Sequence, residues 1–235
     1  MKRTTDDEMS FWEHLDVLRL TLFKTAVAVL AGSIVAFLLK DEVFDLLLAP
    51  KDKYGIQLIN TALTGQFCIH MHLSLYIGAL MASPYILYLL YRFIAPALIG
   101  KEKEYAAKIV VGGYFMFFLG VILNYFLIFP FTFQFLGSYQ VSDEIENLIS
   151  LQSYIDTLVM MSFMLGIFFE LPVVSWLLGK IGVLKASIMR RYRRHAIVAI
   201  LLVAAIITPT SDVFTLLLVA VPIWLLYEVS ILFVK

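Results

Sequence analysis

Residues 83–104 read SPYILYLLYRFIAPALIGKEKE, and this stretch decides how the rest of the chain is read. An apolar, tyrosine-rich run opens on Pro84, meets its first charge at Arg92, turns through Ala95-Pro96 and closes in alternating Lys and Glu. Upstream, the chain carries no Asp, Glu, Lys or Arg back to Tyr54, and from Ile109 it is apolar again. A short charged segment between two long apolar runs is the pattern of a loop at one face of a membrane.

Composition points the same way. Of 235 residues, 61% are hydrophobic and 15% charged, with a mean hydropathy of +0.89, whereas soluble domains carry about a quarter charged residues. Nineteen Phe and twelve Tyr suit spans with aromatic residues near the interfaces. The net charge is zero, so no nucleic-acid partner is expected from it. The single cysteine, Cys68, excludes an internal disulfide and a cysteine-rich metal site. The first apolar run, 20–39, follows Asp6, Asp7, Glu8, Glu13 and Asp16. A cleaved signal peptide opens on a basic, acid-poor segment, so a retained anchor is expected.

A hydrocarbon core about 30 Å thick takes roughly 20 apolar residues as helix. On that rule the spans fall near 18–39, 67–91, 107–129, 154–179, 195–208 and 213–234. The last two come from one apolar stretch broken by Thr208-Pro-Thr-Ser-Asp212, where proline and aspartate together predict a turn. The fifth span is then short, and one long kinked helix is the alternative. Asp212 in mid-bilayer would cost several kcal/mol unpaired, which favours six spans.

The bases set the expected orientation. The second connection carries Arg92, Lys101, Lys103 and Lys108, and the fourth carries Lys180, Lys185, Arg190, Arg191, Arg193 and Arg194. The first has only Lys40, Lys51 and Lys53, and the third and fifth have none. Lys and Arg collect on the cytoplasmic side, which places both termini inside. Residues 41–66 are long enough to cap the spans on the other side, and 137–152 are acidic there through Asp143, Glu144 and Glu146. Pro84, Pro172 and Pro222 lie within spans, and Pro130 and Pro209 at span ends. The expected fold is therefore a single all-α integral membrane domain, 1–235, in the form of a proline-kinked, concave bundle.

No catalytic constellation is present. His70 and His72, at i, i+2, share no helix face and so make no two-ligand metal site. Glu170, in GIFFELPVV, has no other charge between Thr157 and Gly179. An ionisable group at that depth faces a bundle interior or a watery cavity, or bonds to a carbonyl freed by Pro172. Asp212 precedes Val213 as a helix cap. In SFWEHLDVLRL, Phe11, Leu15 and Leu18 share one face, predicting an interfacial helix over about 9–17 that carries Glu13 and Asp16. With Glu102 and Glu104 these acids form either an ordinary solvated charge run, which spacing alone favours, or an inner-face surface suited to a cationic partner, above all arginine.

The segments HLDVLR (14–19), Ala49-Pro50, ASPYILYLLYRFIAPAL (82–98) with Glu102, FFLGVILNYFLIFP (117–130), GIFFELPVV (166–174), TP-x-x-DVF (208–214) and AVPIWLLYE (220–228) together carry a resemblance. In order and spacing the chain resembles the TatC family of the twin-arginine protein translocase, over nearly its whole length. The resemblance implies a receptor and core subunit in a bacterial inner membrane. It would bind twin-arginine signal peptides and support export of folded proteins on the proton-motive force. No cofactor is implied; the implied partners are TatA/TatB-type single-span subunits, further copies of the chain, and membrane lipid. Glu102 matches the family's arginine-receiving glutamate, and Phe93 an aromatic beside it. The family's second such acid falls at Val17 here, so Glu13 or Asp16 is expected to substitute. Arg19, Pro50, Tyr125 and Asp212 match structural or cap-forming positions, Glu170 a buried glutamate on the concave side, and Thr215 a partner-docking position. Leu216 stands where a glutamine can occur, and Thr210-Ser211 lengthens the fifth turn by one residue. A proton-coupled solute carrier using Glu170 is the alternative, although the spans show no two repeat halves.

Overall fold

The computed structural model describes residues 11–54, 57–94, 106–140, 142, 147–208 and 212–234. In chain order the elements are α1 (Phe11–Leu38), α2 (Lys40–Tyr54), β1 (Leu58–Ile59), α3 (Gly65–Ile94) and α4 (Ala106–Leu123). A π-helical turn, Asn124–Ile128, joins α4 to α5 (Phe129–Ser138), followed by β2 (Ile149–Ser150), α6 (Leu151–Phe169) and α7 (Leu171–Lys180). The chain ends in α8 (Ala186–Arg191), α9 (Arg193–Ile207) and α10 (Val213–Phe233).

Five segments are long and apolar enough to cross a membrane: Leu15–Leu38, Gly65–Phe93, Ile109–Ser138, Leu151–Lys180 and Val213–Phe233. The remaining apolar helix, α9, has 15 residues, about 22 Å of helix against a core of about 30 Å. Residues 208–212 separate it from α10. Two sequence boundaries shift. Residues 11–17 continue without a break into the first span as α1, instead of forming a separate interfacial helix. The third helix does not stop at Pro130: a π turn precedes the proline, and the helix runs on through it into α5.

Glycines set the helix spacing. Where α1 crosses α3, a Cβ on Gly78 would lie 2.4 Å from the Ser33 backbone nitrogen, and one on Gly32 would lie 2.8 Å from the Gly78 carbonyl oxygen. Small residues let membrane helices approach to backbone contact, where dispersion replaces the hydrophobic drive that lipid removes. Gly120 on α4 lies against the Leu165 carbonyl, and Gly166 on α6 against the Phe117 ring. The span 151–180 is the centre of the bundle, with 44% of its apolar window buried, against 6% for α1 at the edge. Leu73, Leu158, Met161, Leu165 and Val219 form the sealed core around it.

The two ends differ. At the capped end, β1 and β2 pair in parallel, Leu58 with Ile149 and Ile59 with Ser150, so the first and third connections lie on the same face. Pro50 has no N–H, which deprives the Leu46 carbonyl of its intrahelical donor in α2. The Tyr125 hydroxyl donates to that carbonyl, and Tyr154 donates to the next, Leu47 O, at 2.9 Å. These bonds fasten α2 over the ends of the spans. The opposite end carries α8, Arg92 near the end of α3 and the bases of the fourth connection.

Candidate functional site

Helices α3, α4, α6 and α7 enclose a cavity of about 420 Å³ lined by Ser83, Leu87, Tyr91, Phe117, Ile167 and Glu170, among others. The wall is almost wholly apolar. A second hollow of about 290 Å³ continues toward the capped end between α3, α4 and α6, past Phe163, which lines both. Together they form an apolar groove along the middle of the bundle.

Glu170 lies at the break between α6 and α7, its backbone N–H reaching the Ile167 and Phe168 carbonyls. Pro172 comes two residues on, in the first turn of α7, so the break follows from the proline that cannot continue the ladder. The side chain is half-buried, and Oε1 is shielded from solvent with no hydrogen-bond partner among the described residues. Opposite it on α4 is Gly113, where a Cβ would stand 2.9 Å from Oε2. The glycine thus leaves room for the carboxyl. Ser83, a polar residue of the same wall, is already engaged: its hydroxyl donates 2.7 Å to the Leu80 carbonyl, which Pro84 leaves without a donor. Burying a carboxyl without a partner is costly, so the position is suited to a donor brought from outside.

Of the arginine-binding residues expected from the sequence, Asp16 and Phe93 have described side chains. Helices α1 and α3 are antiparallel, since Gly32 meets Gly78 while Phe37 stacks on His70 at 4.1 Å. The start of α1, with Asp16 and Val17, and the end of α3, with Phe93, therefore lie toward the same end of the bundle. Asp16 is exposed and Phe93 half-buried at this end. Glu102 and the side chain of Glu13 lie outside the described residues. Arg19 is exposed on α1. At the capped end, Asp212 Oδ2 accepts the Thr215 N–H at 2.7 Å, and the Thr215 side chain is fully buried.

Three features were not foreseen from sequence. Asn124, wholly buried in the π turn, donates 2.8 Å to Ser162 Oγ and 3.3 Å to the Leu158 carbonyl, bonding α4 to α6. An asparagine inside an apolar run is a visible signal, but its partner is 38 residues away. Gly113 is the second. The third is an ion pair between Arg193 and Glu228, 2.6 Å apart, where α9 begins beside the end of α10.

The family described as Sec-independent protein translocase protein (TatC) matches residues 13–222. The chain belongs to the TatC family. A TatC from Desulforapulum autotrophicum is 33% identical over 97% of this chain and 84% of its own. One from Aquifex aeolicus is 35% identical over 95% of this chain and 93% of its own. A crystal structure described as the twin-arginine translocase receptor TatC superposes with a TM-score of 0.84 at 36% identity, covering 94% of this chain and 97% of that one. As a TatC-family chain the molecule is a multi-pass membrane component of a protein translocase that works with other Tat subunits, and not an enzyme. Glu170 and its groove therefore belong to a transport machine.

Proposed function

We propose that this chain is the receptor and core subunit of the twin-arginine translocase in a bacterial cytoplasmic membrane. Six spans would place both termini, and the basic end, inside. The observation that carries the reading is the likeness to a receptor structure over nearly the whole chain at 36% identity. In this reading the paired arginines of a signal peptide meet Glu102, with Phe93 beside them and Glu13 or Asp16 supplying the second carboxylate. Arg favours such a site because its planar fork makes two parallel bonds to one carboxylate. The apolar part of the peptide then lies in the groove that leads to Glu170. TatA/TatB-type single-span subunits dock at α9 and α10, near Thr215, and the proton-motive force drives export of the folded cargo.

Co-purification with a twin-arginine peptide and its twin-lysine counterpart tests this. The chain should retain the arginine form, and Glu102→Gln should weaken retention about tenfold or more, ~1.4 kcal/mol at least. Equal retention of the lysine form would overturn the reading.

A further inference from the structure

From Glu170 to Asp212 the chain has no acid, and between them lie six bases within fifteen residues, Lys180 to Arg194. The segment joining α7 to α9 is nonetheless firmly seated. It turns at Gly182, where φ is 77°, a conformation that favours glycine. Met189 of α8 is buried against Ile231 and Val234, and its carbonyl accepts the Tyr227 hydroxyl at 2.8 Å. Arg193, next along, is paired with Glu228. Both polar ties reach the same turn of α10, so this is a fixed platform.

Its outer surface has two components. Lys185, Arg190, Arg191 and Arg194 are exposed, and no acid lies within ion-pair distance of them among the described residues. Interleaved with them, Val183 is 67% exposed, Ile188 44% and Tyr192 50%. A basic loop made only for water would not present Val, Ile and Tyr as well. The platform connects the ends of two apolar helices, and so lies where the chain leaves the hydrocarbon. At that level apolar side chains meet acyl chains while bases reach phosphates.

We propose that the platform over residues 183–194 is a docking surface for the headgroups of anionic phospholipids. Charge decides the lipid class. A zwitterionic headgroup offers the same phosphate, but its own ammonium competes with the four bases. An anionic headgroup has no such competitor, and a polybasic segment near an anionic surface gains with each base. The partner is lipid and not an acidic protein segment, because the exposed Val183, Ile188 and Tyr192 need acyl chains beside them.

Native mass spectrometry of the detergent-purified chain tests the proposal, using phosphatidylglycerol and phosphatidylcholine of identical acyl composition. Phosphatidylglycerol should be retained at least about fivefold better, the contribution of a single base near an anionic surface. A chain carrying K185Q, R190Q, R191Q and R194Q should lose that preference while melting as the unaltered chain does. A control carrying K51Q and K53Q, in the first connection, should keep it. Equal retention of the two lipids, or an unchanged preference in the fourfold variant, would overturn the proposal. So would loss of the preference in the control. Displacement of the lipid by millimolar inorganic phosphate would reassign the surface to a free anion. Stronger retention of a hexaglutamate peptide would reassign it to a protein partner.

Discussion

Two prolines open the backbone of this bundle, and the molecule answers them in opposite ways. At Pro50 the orphaned Leu46 carbonyl receives the Tyr125 hydroxyl from another helix, and Tyr154 secures the adjoining carbonyl. At Pro172 the ladder also breaks, but the polar side chain at the break, Glu170, is aimed into an apolar groove with Oε1 unpartnered among the described residues. The first region is closed on itself and holds the fold. The second is open, and it leaves a carboxyl oxygen shielded from water at a cost in stability.

The contrast is broken most directly by Glu170→Leu. An apolar side chain fits the groove wall and removes a buried polar group, so the chain should become more stable by about 1–3 kcal/mol. Export of a folded reporter behind a twin-arginine signal should nevertheless fall about tenfold or more, ~1.4 kcal/mol at least. Thermal unfolding in detergent and an export assay read the two quantities separately. If stability falls, or export persists, Glu170 belongs with the closed region.

Tyr125→Phe makes the converse test. It leaves the Leu46 carbonyl without its donor and should destabilise by about 1 kcal/mol. Pro50→Ala supplies a backbone N–H at the same place, so the tyrosine substitution should cost much less in that background. A double-mutant cycle should show coupling of about 0.5–1 kcal/mol. Additive effects would mean that the hydroxyl and the proline are unrelated.

These two regions were unequally legible in the sequence. The apolar runs announce the long helices, because span length follows from bilayer thickness. The charge-free stretch around Glu170 announces an isolated acid. Nothing local announces that Tyr125 serves Leu46, 79 residues earlier, or that Arg193 pairs with Glu228, 35 residues later. Such partners are set by which helices become neighbours, and hydropathy does not encode that. Pro130 misled for a related reason. Proline ends a helix only when the displaced carbonyl cannot be accommodated, and the π turn at Asn124–Ile128 accommodates it. At Glu102 the expectation rests on family resemblance alone, and its surroundings lie outside the described residues.

The smallest effect, and the finest discrimination, is expected at Gly113. A methyl there would lie 2.9 Å from Glu170 Oε2 and 3.3 Å from Oε1, so the carboxyl must move by a few tenths of an ångström. The carboxyl is the end of a flexible side chain and can yield. Alanine also favours helix over glycine by up to about 1 kcal/mol, so Gly113→Ala should leave melting unchanged or slightly raised. Export should fall about two- to threefold, ~0.5 kcal/mol, because the displaced carboxyl meets its incoming partner less well. The decisive comparison is made in the Glu170→Leu background, where no carboxyl remains to be displaced. There Gly113→Ala should change export no further; an equal loss would show that the glycine serves helix packing alone and that the open region is not built around the acid.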